Sequence, residues 1–481
     1  MRTILSPRSC LKKIPLEVYA LLLALILSGC ATKAPQGRLD NTEQAARTVS
    51  PEETEEETRA RAYSRIQSLV ASGEMEKAIE ECERSLSPER FREDRLLYVR
   101  LLILGKHLDR ANEELQKLLI DYPDDTEALY SLSMLEAEAG RFKEQRDLLQ
   151  RILDFAPGHV EALAAMGGIC LNEGRLDQAE SYFSKALDMD PESFSAVVGM
   201  GQTLLGKREY QRAEAFIERS VTLSPDASFV YNDRARLRKA QSDYSGALED
   251  LNTAIKLEPS LYWSYIDRGK LYLITGKRKN AETDFLRAAE IDNGNFYSYV
   301  YLAGMYYEDE RWEEALLQYR NIFRLRQDYY FAYEPLAVLN YRDHNWQEAI
   351  RYFNMAFEHN RREYSYTLIA CLAYRRWGKK GAAEKYLNEL SMILPRESWY
   401  YEVARFLLRP EYDQPLTDRI KNERNQTIKE RMLFYLATQY LISGYRNAAQ
   451  AIFLDLSAAE DSSPIENLLA RLELASLSTT E

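Results

Sequence analysis

The sequence predicts an all-α fold, a solenoid of about ten helix-turn-helix repeats closed by a C-terminal helical cap. Three regularities carry the prediction. Alanine recurs every 34 residues, at 179, 213, 247, 281, 315, 349 and 383. One helical turn after that position lies an unbroken apolar ladder: Leu115, Leu149, Phe183, Ile217, Leu251, Phe285, Tyr319, Phe353 and Leu387. Twelve residues after the small position comes proline, at 123, 157, 191, 225, 259 and 395. A period of this size marks a stacked-repeat architecture before any residue is assigned to an element.

Taken from the N-terminus, residues 1–29 read as an export signal. Arg2, Arg8, Lys12 and Lys13 precede the apolar run Val18 to Leu27, which is too short to span a bilayer as a helix of ~20 residues. The run closes on Leu27-Ser28-Gly29-Cys30, which resembles a bacterial lipobox. That resemblance implies cleavage before Cys30 and lipidation of its thiol; the alternative is an ordinary signal peptide followed by an incidental cysteine. Ala31, rather than Asp, after the cysteine implies by the same resemblance a place in the outer membrane, facing the periplasm.

Residues 30–49 then form the acylated cysteine and a polar, aperiodic tether. Its 19 residues after Cys30 give a reach of about 25 Å. Ser50-Pro51-Glu52-Glu53 is a helix start, with a capping hydroxyl, proline in the first turn and acids at the positive end of the dipole. The acid run 51–57 is read as a solvated helical turn, not a metal tract.

From 50 to 397 the repeat governs. The small residue lets two helices approach, and the apolar residue one turn later fills the space beside it. Proline ends the second helix. Glycine at 140, 174, 276 and 378, five residues before the small position, turns the chain between the two helices. In the stretch 160–193, Gly167, Cys170, Gly174, Ala179, Phe183, Ala186 and Pro191 stand at seven signature positions, and the pattern closely resembles the tetratricopeptide repeat (TPR). The resemblance implies a right-handed α-solenoid with nine repeats between about 92 and 397 and a first one from about 50 to 91. Several repeats lack the small residue at position 8 or the closing proline.

Residues 398–481 leave this phase. A helix from Trp399 to Leu408 is cut by Arg409-Pro410, and a charged stretch follows. Gly444, Ala449 and Phe453 then recover the spacing, and a last helix near 464–476 caps the stack. This ending resembles that of NlpI-type lipoproteins, which implies partners such as peptidoglycan hydrolases and a tail-specific protease.

Composition limits the partners. Without the four bases and one acid of residues 1–29, 59 basic and 74 acidic residues remain, a net charge of −15. Such a surface repels phosphate backbones, so nucleic acid is not an expected partner, and any membrane attachment is left to the lipid. No cofactor is expected. Cys82, Cys170 and Cys371 are scattered and fall on core positions, so buried thiols are expected rather than disulfides or a zinc site. The four histidines are isolated, and no catalytic or metal constellation is visible. Gly201 to Lys207 mimics a phosphate loop, but Arg208 stands where the hydroxyl residue belongs and no strand precedes it.

Binding is therefore assigned to the groove that the first helices of the repeats line. By the resemblance, positions 2, 5, 9, 12 and 13 of each repeat face it. From residue 228 onward these positions include Phe229, Trp263, Tyr297, Tyr307, Phe331 and Tyr341, interleaved with Arg236, Lys270, Arg342, Arg375 and Arg376. Aromatic and cationic groups together suit a peptide with apolar anchors and carboxylates. The competing reading packs these rings on neighbouring helices and leaves the arginines to solvent. The chaperone-tail carboxylate clamp, which wants Lys and Asn at positions 5 and 9 of one repeat, is not met, since Asn232 is followed there by Arg236. The expected function is a membrane-anchored adaptor for other envelope proteins or peptide segments; the alternative is a pilotin-like or structural component of an outer-membrane or secretion complex.

Overall fold

The computed structural model describes residues 55–458 and 464–478. The signal segment, Cys30, the tether and the helix start at Ser50 lie outside the described residues. Within them the chain forms 25 α-helices and one 3-10 turn, and no strand. It divides into two compact units between Glu258 and Pro259.

The first unit holds six antiparallel pairs. They are α1 (Glu55–Ala71) with α2 (Met75–Ser85), α3 (Arg92–Leu104) with α4 (Leu108–Asp121), and α5 (Thr126–Glu138) with α6 (Phe142–Phe155). Next come α7 (Val160–Asn172) with α8 (Leu176–Met189), α9 (Phe194–Lys207) with α10 (Tyr210–Leu223), and α11 (Ser228–Ala240) with α12 (Tyr244–Leu257). Each second helix also packs on the first helix of the following pair within the unit, which makes the stack continuous.

The alanine ladder lies at the closest approach of each pair. Ala78, Ala111, Ala179, Ala213 and Ala247 are all 0% exposed, so the position has no room for a larger side chain. The ladder one turn later fills the gap, and where it is Phe183 the facing helices must give way. A methyl group at Gly167 would come within 2.7 Å of the Phe183 ring, and one at Gly199 within 2.2 Å. The phenyl ring is therefore clamped between two glycines on α7 and α9.

The turn inside each pair has one invariant feature. The residue five before the small position takes a left-handed backbone: Gly73, Gly140 and Gly174, but also Lys106, Arg208 and Ser242 at φ 62°, 62° and 66°. Second helices end two residues before Pro123, Pro157, Pro191 and Pro225. Side chains of Asp125 and Asp243 cap α5 and α12 by accepting from Ala128 N and Gly246 N, each at 2.9 Å.

The second unit continues with α13 (Tyr262–Ile274) and α14 (Arg278–Ile291), then α15 (Tyr297–Glu308) and α16 (Trp312–Leu325). The 3-10 turn Tyr330–Ala332 leads into α17 (Tyr333–Arg342), paired with α18 (Trp346–His359); α19 (Ser365–Arg376) pairs with α20 (Lys380–Ile393). The helix α17 has only 10 residues, because Pro335 in its first turn has no amide to donate. Although residues 293, 327 and 361 are not proline, α14, α16 and α18 stop at the same repeat position as their proline-ended counterparts. Packing against the next pair, rather than proline alone, sets that boundary.

Five helices complete the unit: α21 (Trp399–Leu408), α22 (Gln414–Asn422), α23 (Gln426–Ile442), α24 (Arg446–Ser457) and α25 (Ile465–Ser478). Part of the charged stretch expected after Pro410 is the short helix α22, with Pro415 in its first turn. Gly444 is left-handed at φ 90°, and Ala449 and Phe453 are 0% exposed, so α23 and α24 repeat the pair geometry.

Candidate interaction surface

In the first unit, Phe229 opens α11 half-buried, its ring 5.9 Å from that of Phe194. Arg236 is exposed two turns later and reaches back to Asp233 at 3.3 Å. Asp233 is itself nearly buried and accepts from Gln202 Nε2 at 2.6 Å, so this acid fixes both groups.

In the second unit the helix starts build a continuous run of rings. Trp263 meets Tyr262 edge-on at 5.1 Å and Tyr297 at 5.4 Å. Tyr297 stacks on Phe296 at 4.5 Å, and Phe296 meets Tyr329 edge-on at 5.5 Å. Tyr329 leads to Phe331 at 5.5 Å, Phe331 to Tyr330 at 4.1 Å, and Tyr330 stacks on His359 at 3.8 Å. Tyr262 is anchored by accepting Ser298 N–H at 2.9 Å, so the run begins from a fixed ring. The Arg326 guanidinium lies 5.1 Å from the Phe296 centroid and pairs with Asp328 at 3.1 Å. Phe331 is 52% exposed and Tyr330 40%, which leaves large apolar area open to a partner.

Of the sequence-predicted residues, the structure thus joins Trp263, Tyr297 and Phe331 in one surface. Lys270 donates to Asp267 at 2.7 Å on α13. Tyr307 is tucked edge-on against Trp312 at 5.4 Å and Tyr319 at 6.1 Å, and burial pushes its hydroxyl up from the ordinary tyrosine range. Arg342 pairs with Asp343 at 2.7 Å and Glu313 at 3.0 Å.

Three residues expected to line an open groove do not. Tyr341 is only 2% exposed, packed edge-on to Trp346 at 5.1 Å. Arg375 donates to Gln439 Oε1 at 2.8 Å and to the Leu407 carbonyl. Arg376 pairs with both oxygens of Glu473 at 3.0 and 3.1 Å, its guanidinium 5.2 Å from the Trp346 ring centroid. The C-terminal helices come in over this part of the face, so these side chains are spent inside the chain.

Conversely, reading by repeat position missed Tyr262, Phe296, Tyr329, Tyr330 and Arg326. The available signal was the adjacency of two aromatic residues at Tyr262-Trp263, Phe296-Tyr297 and Tyr330-Phe331, together with a tyrosine count of 33 against 16 phenylalanines.

Other candidates resolve into structure. Lys207 of the phosphate-loop mimic lies at the end of α9 and pairs with Asp177 and Glu180, each at 2.7 Å. Cys82, Cys170 and Cys371 are buried and free, and burial pushes the Cys82 thiol up to about 12. Among the described residues no group of three or more His, Cys, Asp or Glu is placed to hold a metal, and no helix is long and apolar enough to cross a membrane. A shallow cleft of about 490 Å³ between α18 and α20 is lined by Asn354, Phe357, Tyr364, Tyr386 and Ile393.

The fold is therefore an all-α array of tetratricopeptide helix pairs. Tetratricopeptide-repeat family models match residues 104–160, 171–229 and 264–295. Among solved structures, a tetratricopeptide repeat protein from Parabacteroides merdae is 19% identical with a TM-score of 0.40, covering 49% of this chain and 93% of its own. PilF of Pseudomonas aeruginosa is 18% identical, TM-score 0.38, covering 42% and 91%. YrrB, described as a TPR protein with an unusual peptide-binding site, is 17% identical, TM-score 0.30, covering 38% and 95%. No curated protein matches the chain.

Proposed function

We propose that this protein is a lipid-anchored scaffold of the bacterial envelope that captures protein or peptide partners on the aromatic surface of its second unit. The observation that carries the reading is the unbroken run from Trp263 to Tyr330, which ends in half-exposed rings. Rigid amphipathic rings supply contact area at small entropic cost, and they are over-represented among residues that dominate binding energy. Trp263, Tyr297 and Phe331 are the apolar anchors, with Lys270 and Arg342 as flanking cations. Tyr307 lies near the other end of the same helix as Tyr297, packed on Trp312 and Tyr319. Phe229 and Arg236 form a lesser contact on the first unit. Tyr341, Arg375 and Arg376 have no part in it.

The sequence supports the envelope location through Cys30 and its preceding apolar run. The net charge of −15 after removal of residues 1–29 leaves membrane attachment to the lipid and disfavours nucleic acid. Turnover is not proposed.

The test is crosslinking and co-purification from cells carrying the tagged, lipidated protein beside a Trp263→Ala/Phe331→Ala variant. Loss of envelope partners by a variant of unchanged helicity supports the surface. Unchanged capture removes it. A single stoichiometric complex recovered with both proteins assigns the chain an assembly role instead.

A further inference from the structure

The last helix, α25, packs across to α17 as well as onto α23 and α24. Two of its acids are buried against the array. Glu466, 0% exposed, accepts from Arg431 Nε at 3.1 Å, from Tyr435 Oη at 3.0 Å and from Ser365 Oγ. Two turns later Glu473, 4% exposed, takes the Arg376 guanidinium through both oxygens. Between them Leu469 and Ala470 are 0% exposed. The face that α25 covers thus reads a specific ligand: a helix with two carboxylates seven residues apart and small or aliphatic groups between. Arg431, which also pairs with Glu363, and Arg376 are the receptors, and both make charge-assisted hydrogen bonds to the carboxylates.

The fit is incomplete. On α25 itself Asn467 donates through Nδ2 to Glu430 at 2.9 Å, but its buried Oδ1 has no hydrogen-bond partner among the described residues. Buried polar atoms left unpaired weaken an interface. A helix of 14 residues also has little stability of its own once undocked. Two ionic anchors on a short helix that leaves one buried amide oxygen unpaired describe a helix that docks specifically but not irreversibly.

We propose that α25 is an internal ligand that reversibly occupies a docking face for an acidic amphipathic helix, and that a partner helix with the same carboxylate spacing displaces it. The proposal rests on the scaffold reading and deepens it by naming the partner's chemistry. Because α25 is tethered at high effective concentration, an incoming helix gains access only when it binds tighter or when α25 is weakened.

The probe is a labelled peptide of residues 464–478, titrated into the intact protein and into Glu473→Arg and the isosteric Glu473→Gln. Both variants should bind the peptide at least about tenfold tighter than the unaltered protein does, and a peptide with Gln at both acid positions should not bind. By hydrogen exchange, α25 amides should exchange before those of α19 and α23, faster still in Glu473→Arg, and return to the original rate in Arg376→Glu/Glu473→Arg. Exchange of α25 only together with α19 and α23, or folded variants that bind the peptide no better, would overturn the proposal. No envelope partner enters this assay, so its outcome is separate from the fate of the Trp263/Phe331 surface.

Discussion

At the scale of single residues the backbone turn is the clearest case of geometry overriding side-chain choice. The left-handed position recurs at residues 73, 106, 140, 174, 208, 242, 276, 310, 344, 378 and 444, yet only some are glycine. Where glycine stood, the sequence announced the turn; at Lys106, Arg208, Ser242, Glu310 and His344 nothing local did. Stacking imposes the conformation and those side chains bear its strain. Glu310→Gly should therefore raise stability by about 0.5–1 kcal/mol in denaturant unfolding, and Gly174→Ala should lower it by about 1 kcal/mol. The clamp on Phe183 gives a sharper contrast. Gly199→Ala should cost about 1–3 kcal/mol, outweighing the helix propensity gained, because the added methyl would stand 2.2 Å from the ring. Gly168→Ala, on α7 with nothing within 4 Å, should stabilise by about 0.5–1 kcal/mol. Phe183→Leu should relieve the first penalty in a double-mutant cycle.

Titration also belongs here. Burial and neighbouring acids push the Tyr306 hydroxyl up to about 12, and burial does the same to the Cys82 thiol. Both groups are neutral in the fold and ionise earlier when unfolded, from about 10 for tyrosine and about 9 for cysteine. Their contribution is complete below those values and is lost as pH rises towards 12. Urea midpoints should hold from pH 7 to 9 and fall above, and Tyr306→Phe should flatten the fall.

At the scale of elements, the repeat was legible because a local rule generates it. The alanine ladder and the apolar ladder lie one turn apart on the second helix of each pair, so their spacing survives in the sequence. The docking of α25 was not legible. Its contacts to Ser365 and Arg376 span 101 and 97 residues and follow no period. Repeat position placed Tyr341, Arg375 and Arg376 on the inner face, and position alone could not show that later helices cover it. The aromatic run was half legible: Trp263, Tyr297 and Phe331 came from position, while Tyr329 and Phe296 enter through stacking between successive pairs. The cover has an energetic signature. Arg376→Ala strands Glu473, 4% exposed, and should cost about 3 kcal/mol, whereas Arg342→Ala, which frees the exposed Glu313, should leave stability almost unchanged.

At the scale of the whole molecule, the proposed scaffold role divides into two separable properties, attachment and capture. The proposed attachment rests on Cys30: Cys30→Ser should leave the protein uncleaved or soluble in fractionation, with its helicity intact. Capture is argued from the exposed rings of the second unit. Whether these rings hold a partner is decided by co-purification of crosslinked envelope proteins with the lipidated protein and with Trp263→Ala/Phe331→Ala, with circular dichroism on both. Equal helicity and loss of partners in the variant are expected; equal helicity with undiminished capture would rule the aromatic surface out as the binding site.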